Sequence, residues 1–146
     1  MLVDIASRTT ETLTATVRND VSELGPLAKA LGEFGSRNNV PADAIYKVNL
    51  ALEELLVNVI RHGYGEDADD REIRVGVALA DGAITVQMED DAVAFDPRAA
   101  PQPDIGAAIE KHPCQGLGLH MVGAVMDSIA YERRDGRNCL TLSKAF

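Results

Sequence analysis

Ala51-Leu-Glu-Glu-Leu-Leu-Val-Asn-Val-Ile-Arg-His-Gly-Tyr64 is the stretch on which the fold of this 146-residue chain turns. Ile45, Val48, Leu52, Leu55, Leu56 and Val59 recur at helical spacing, which predicts an amphipathic helix opened by Asn39-Val-Pro-Ala-Asp43 with Pro41 in its first turn. Lys47, Ala51, Glu54, Asn58 and Arg61 fall on the other side, and Gly63 and Gly65 are expected to end the helix. Glu54 and Asn58 are four residues apart, so a carboxylate and a carboxamide lie one above the other on the same face. A polar helix face is more often merely solvated, and the pair alone does not decide between a site and a wet surface.

On the N-terminal side, residues 12–17 alternate Leu13, Ala15 and Val17 against Thr12, Thr14 and Thr16, which reads as a half-buried strand. Val3 and Ile5 suggest a shorter one before it, so residues 1–10 are either an extension or an extra strand. Leu24, Leu27, Ala28, Leu31 and Phe34 then predict a helix, and Pro26 pins its start near residues 20–23. On the C-terminal side, Ile73, Val75, Val77 and Leu79 alternate, Asp81-Gly82 supplies a two-residue turn, and Ile84, Val86 and Met88 alternate back.

Continuing that period of two puts Asp90 on the core face, where a carboxylate needs a partner or a ligand. The alternative is that the strand stops at Glu89 and Asp90 begins a loop. Residues 91–115 have no sustained period and carry Pro97, Pro101, Pro103 and Pro113, as a lid or binding segment does, with a short helix expected at 105–111. Gly116-Leu-Gly-Leu-His120 runs into a helix with Leu119, Val122, Val125 and Met126 as its stripe. A glycine-rich helix start lets backbone N–H groups approach a phosphate, although glycines before helices are common. Residues 129–133 and 138–143 form a last hairpin about Asp135-Gly136, read as structural.

The composition is that of a soluble globular protein, at 46% hydrophobic and 25% charged. A net charge of -9 offers no basic field to hold nucleic acid. Cys114 and Cys139 form neither a disulfide framework nor a zinc pattern. No run approaches the roughly 18 apolar residues of a membrane span, and residues 1–6 lack the basic flank of a secretion signal. No membrane partner and a cytoplasmic location are therefore expected. The order strand, helix, helix, hairpin, lid, helix, hairpin predicts one domain over residues 11–146. Its fold class is an α/β two-layer sandwich, with a mixed, mainly antiparallel sheet and helices on one face.

Four segments in register carry a resemblance: residues 50–64, Glu-Asp-Asp-Ala-Val-Ala-Phe-Asp-Pro at 89–97, Gly-Leu-Gly-Leu-His at 116–120 and Asp-Gly-Arg-Asn-Cys-Leu-Thr-Leu at 135–142. Together they resemble the ATP-binding domain shared by gyrase, heat-shock chaperones, mismatch-repair ATPases and histidine kinases, the Bergerat fold. Within it, the likeness is to small bacterial anti-sigma factors that are also serine protein kinases.

That resemblance implies ATP and Mg²⁺ as cofactors. It implies a sigma factor and a small anti-anti-sigma antagonist, phosphorylated on serine, as alternating partners. It also extends to homodimerisation, with the first strand and helix as the surface. Carried over by position, it makes Asn58 the Mg²⁺ ligand and Glu54 the general base for the serine hydroxyl. Asp90 becomes the acceptor for the adenine amino group. Gly116, Leu117, Gly118 and Leu119 belong to the turn whose backbone cradles the phosphates, Arg98 and Lys111 are lid contacts, and Arg61 and His62 are surface or helix-end residues. Ala92 stands where the family motif Asp-x-Gly has its glycine, so its Cβ is expected to crowd the purine or to forbid a backbone angle that glycine adopts cheaply. The expected result is weakened rather than abolished nucleotide binding, with a nucleotide-poor binding module as the alternative function. A histidine-kinase catalytic domain is the third reading; it needs a phospho-accepting helix upstream, and only residues 1–10 precede the first expected strand.

Overall fold

A computed structural model describes residues 2–6, 11–64, 70–99 and 117–146. The expected helix at 105–111, Lys111, Cys114 and Gly116 lie outside them. Strands β1 (Leu2–Ala6) and β2 (Glu11–Arg18) lead to helices α1 (Leu24–Arg37) and α2 (Ala42–Asn58). The hairpin β3 (Glu72–Ala80) and β4 (Ala83–Asp90), helix α3 (Leu117–Val125), and the hairpin β5 (Ser128–Arg134) and β6 (Arg137–Ala145) follow. The six strands form one sheet in the order β1-β2-β3-β4-β6-β5, and every pairing is antiparallel.

Alternation decides which face is buried. Leu13, Ala15 and Val17 align with Val77, Val75 and Ile73, and the rows continue through Val86 and Met88 to Leu142 and Leu140. All of these are buried, and the helices cover them from one side. The opposite face carries Thr14, Arg74 and Gln87, which are exposed. Both hairpin turns place Asp then Gly in the left-handed region, Asp81 at φ 53° with Gly82 at 73°, and Asp135 at 51° with Gly136 at 74°. That pair of angles suits the twist of the flanking strands.

Asp20 opens the first helical segment by accepting a hydrogen bond from Ser22 N–H (2.9 Å), and a 3-10 turn over Val21–Glu23 passes into α1. Ala28 departs from the expected stripe and is exposed, while Gly35 is buried in the same helix. Ala51 also departs: it is fully buried rather than on the polar side, because α2 is flanked by both α1 and α3. The end of α2 is not a glycine cap. The helix widens into a π-turn over Val59–Gly63, closed by Tyr64 N–H to Val59 C=O (3.3 Å), and Tyr64 is already extended. Strand β2, expected in a dimer surface, has both edges taken by β1 and β3, so β1 and β5 are the sheet's edges among the described residues. No helix among those residues is long and apolar enough to cross a membrane.

Candidate functional site

A pocket opens between the last turns of α2 and the ends of β4 and β6. It is lined by Leu55, Asn58, Val59, His62 and Gly63 from the helix, and by Met88, Asp90, Asn138 and Leu140 from the sheet. Ala92 lies in its wall, and Val93 and Phe95, 64% and 39% exposed, form its lip. Asn58, Asp90 and Ala92 therefore meet in one cavity. His62, expected as a surface residue, is exposed but also borders it.

The strand β4 does run through Asp90, whose side chain is 2% exposed. Oδ1 accepts from Asn138 Nδ2 (2.9 Å) and from Ala92 N–H (3.0 Å). Among the described residues both donors go to that one oxygen, which leaves Oδ2 for another donor. Burial pushes the Asp90 carboxyl above its ordinary range, opposed by those two hydrogen bonds and by the Arg133 guanidinium. A half-served carboxylate among Leu55, Met88 and Leu140 suits a flat, largely apolar group that offers one N–H.

Glu54 sits one turn back along α2, outside the pocket lining, and faces α3. A Cβ built on Gly118 would overlap the Glu54 carboxylate, so glycine at that position lets the α3 backbone lie directly against the side chain. Leu119 is partly buried and packs its side chain against the core. Among the described residues no three His, Cys, Asp or Glu side chains form a metal cage. A divalent ion at Asn58 would thus enter largely in the company of phosphate oxygens and water.

A family profile described as the histidine kinase-like ATPase domain matches residues 17–144. The chain belongs to that family. The serine-protein kinase RsbW of Bacillus thuringiensis is 29% identical over 102 residues, which cover 67% of this chain and 62% of that protein. The chain thus spans less than two thirds of that relative's length. The structure of the RsbU and RsbW domains of Rv1364c from Mycobacterium tuberculosis superposes with a TM-score of 0.65 at 18% identity, over 92% of this chain and 31% of that one. The SiaB–SiaC complex of Pseudomonas aeruginosa gives a TM-score of 0.57 at 18% identity, covering 91% and 89%. At that identity the two structures speak for the fold.

In this histidine kinase-like ATPase domain the two concerns raised by Ala92 separate. Its backbone is not left-handed; among the described non-glycine residues only Asn39, Asp81 and Asp135 have positive φ. Its Cβ does occupy the pocket wall, and the chain makes room on the other side. A Cβ at Gly63 would stand 3.0 Å from that of Ala92, so one small residue faces the other. The Ala92 carbonyl accepts from Arg133 Nη1 (2.8 Å), and Val93 N–H donates to Gly63 C=O (3.3 Å). Arg98, expected near phosphate, instead forms a two-pronged pair with Asp96.

Sequence reasoning missed two groups. Asn138, in the hairpin read as structural, is 4% exposed and holds Asp90; its signal was a polar residue at the start of the core-face period Asn138, Leu140, Leu142. The second is a brace beyond the helix end. Tyr64 OH donates to Asp91 Oδ1 (2.7 Å), Asp91 N–H donates back to the phenol oxygen (3.1 Å), and Arg71 Nη1 reaches Asp91 Oδ2 (3.2 Å). The Tyr64 hydrogen bond holds the Asp91 carboxyl below its ordinary range, and burial pushes the Tyr64 phenol well above its own. No local pattern announces this contact between residues 64 and 91.

Proposed function

We propose that the chain is an ATP-dependent protein-serine kinase and anti-sigma factor that works by partner switching. It would hold a sigma factor in one state, and in the other bind and phosphorylate a serine of a small antagonist. The observation that carries this reading is the half-served, buried carboxylate of Asp90 sharing a pocket with Asn58 one helical turn from Glu54, in a chain whose relatives include serine-protein kinases.

Asp90 would accept the adenine amino group on Oδ2, and Leu55, Met88 and Leu140 would bury the ring. Asn58 would hold Mg²⁺ through its amide oxygen. The backbone at Leu117, Gly118 and Leu119 would face the phosphates. ATP supplies the phosphoryl group when bound, and its Mg²⁺ spreads the charge that develops on transfer. Glu54 would take the proton of the incoming serine hydroxyl, a contribution of about 10²–10⁴ in rate.

The test is phosphate incorporation into the cognate antagonist with Mg-ATP, for the wild type and for Glu54→Ala and Asn58→Ala. Unchanged activity in either variant sinks the assigned roles. A nucleotide-poor anti-sigma module of the same fold is the second reading, favoured by the Ala92 Cβ in the pocket wall. Calorimetric titration separates the two: micromolar, Mg-dependent ATP binding removes the module, and no binding at millimolar nucleotide removes the kinase.

A further inference from the structure

We infer that Asn138 is a positioning residue of the nucleotide site. Its amide touches no ligand, but fixes the Asp90 carboxylate and the pocket lip in the arrangement that selects adenine over guanine. The inference rests on reading the pocket as a nucleotide site.

Asn138 faces Asp90 across the β4–β6 pairing and is buried. Its Nδ2 donates to Asp90 Oδ1 (2.9 Å) and to Val93 C=O (2.9 Å). Its Oδ1 accepts from Phe95 N–H (3.2 Å) and from Tyr131 OH (2.6 Å). Two of the four partners are backbone groups of fixed polarity, one carbonyl and one N–H, so only one orientation of the amide satisfies them. A carboxamide has two donors and two acceptor lone pairs, and here all four are used. None remains for a base.

The amide therefore acts through what it holds. It occupies Asp90 Oδ1 and so turns Oδ2 toward the pocket. The same group pins Val93 and Phe95, the two lip residues, and is itself anchored by Tyr131 on the edge strand β5. A buried amide with all four of its hydrogen bonds made is held in one orientation. The chemistry it would select follows from the bases: adenine presents an amino donor where guanine presents a carbonyl acceptor, and a fixed carboxylate oxygen accepts the first and repels the second.

The experiment measures ATP and GTP affinity by calorimetry, with Mg²⁺, for the wild type, Asn138→Leu, Asp90→Asn, the double variant and Tyr131→Phe. In Asn138→Leu, ATP affinity should fall about tenfold with little change for GTP, the scale expected for a buried hydrogen bond to a charged group. Equal losses for both nucleotides would mean a merely structural residue and overturn the proposal. In the Asp90→Asn background the leucine should lower the ATP-to-GTP ratio no further, since both act through one carboxylate; additive losses also overturn it. Tyr131→Phe leaves the pocket lining intact and removes one donor to the amide, and should lower the ratio about two- to fivefold. An unchanged ratio there counts against the proposal even if Asn138→Leu fails to fold. A wild type that binds neither nucleotide refutes the nucleotide reading, and the role of Asn138 with it. A selective wild type whose ratio survives in both variants overturns Asn138 alone.

Discussion

Gly118→Ala puts the geometry around Glu54 to a quantitative test. The added methyl would fall on the Glu54 carboxylate, with Cδ at 2.6 Å and Cγ at 3.2 Å. Because even Cγ is crowded, spinning the carboxylate about its last bond is not enough. Either Glu54 leaves its rotamer or α3 lifts from α2. Lifting α3 would loosen Val122 and Met126, which are buried beneath it, at about the 1–3 kcal/mol typical of an overpacked core. Glu54 is only half-buried and has solvent to turn into, at about 0.5–1.5 kcal/mol. Replacing a helical glycine returns up to about 1 kcal/mol of that. The side chain therefore yields and the helix does not. The expected result is a melting temperature within about 4 °C of the wild type. Phosphate transfer to the antagonist should fall by about 10²–10⁴, the loss of a positioned base. Circular-dichroism melts and a phosphate-incorporation time course measure these. Transfer within about twofold of the wild type at normal stability would refute Glu54 as the base, and a large drop in melting temperature would refute the claim that the side chain is the part that moves.

Three further outcomes are expected. Gly63→Ala would press a methyl to 3.0 Å from the Ala92 Cβ and 3.4 Å from Val59 Cγ1, costing about 1–2 kcal/mol in urea unfolding. Adding Ala92→Gly should restore most of that, and failure to rescue would show that the two positions are not coupled. Asp90→Asn should be more stable than the wild type without ligand at pH 7. The folded carboxyl is raised by burial, so it withdraws stability as pH climbs from the unfolded pKa through the folded one; the gap should close toward pH 3, and no gain at pH 7 would contradict this. Tyr64→Phe should behave in the opposite sense. The hydrogen bond lowers the folded Asp91 pKa, so its contribution is present above the unfolded value and is lost as pH falls through the folded one; a wild-type advantage that does not shrink on acidification would exclude the brace as its source.

What the sequence made legible was whatever local periodicity can carry. Alternation placed Leu13, Val75, Val86 and their neighbours on one face, and the two Asp-Gly turns set their own hairpins. Parity alone then put Asp90 on the core side, since a period of two leaves no other choice once Ile84, Val86 and Met88 are inward. Ala28 and Ala51 were misplaced for one reason: a small side chain carries little hydrophobic signal, and its burial depends on which helices lie alongside. Asn138 was legible as an inward residue but not as a site residue, because its partner Asp90 is 48 positions away and meets it only through the β4–β6 pairing. The contact of Glu54 with Gly118 is likewise a product of helix packing, invisible to any window along the chain.

The π-turn over Val59–Gly63 makes chain length itself a constraint at this point. Removing one residue there would let the segment relax into ordinary helix. Everything beyond would then be turned by about 100° and drawn in by about 1.5 Å. Tyr64 would leave Asp91, and the peptide that receives Val93 would point elsewhere. A surface hairpin such as the one at Asp81-Gly82 can trade one turn length for another, but this segment cannot. Single-residue deletions across positions 59–63 should thus be far less tolerated than substitutions at the same positions, a signature that deep mutational counting would register as a gap in length rather than in chemistry.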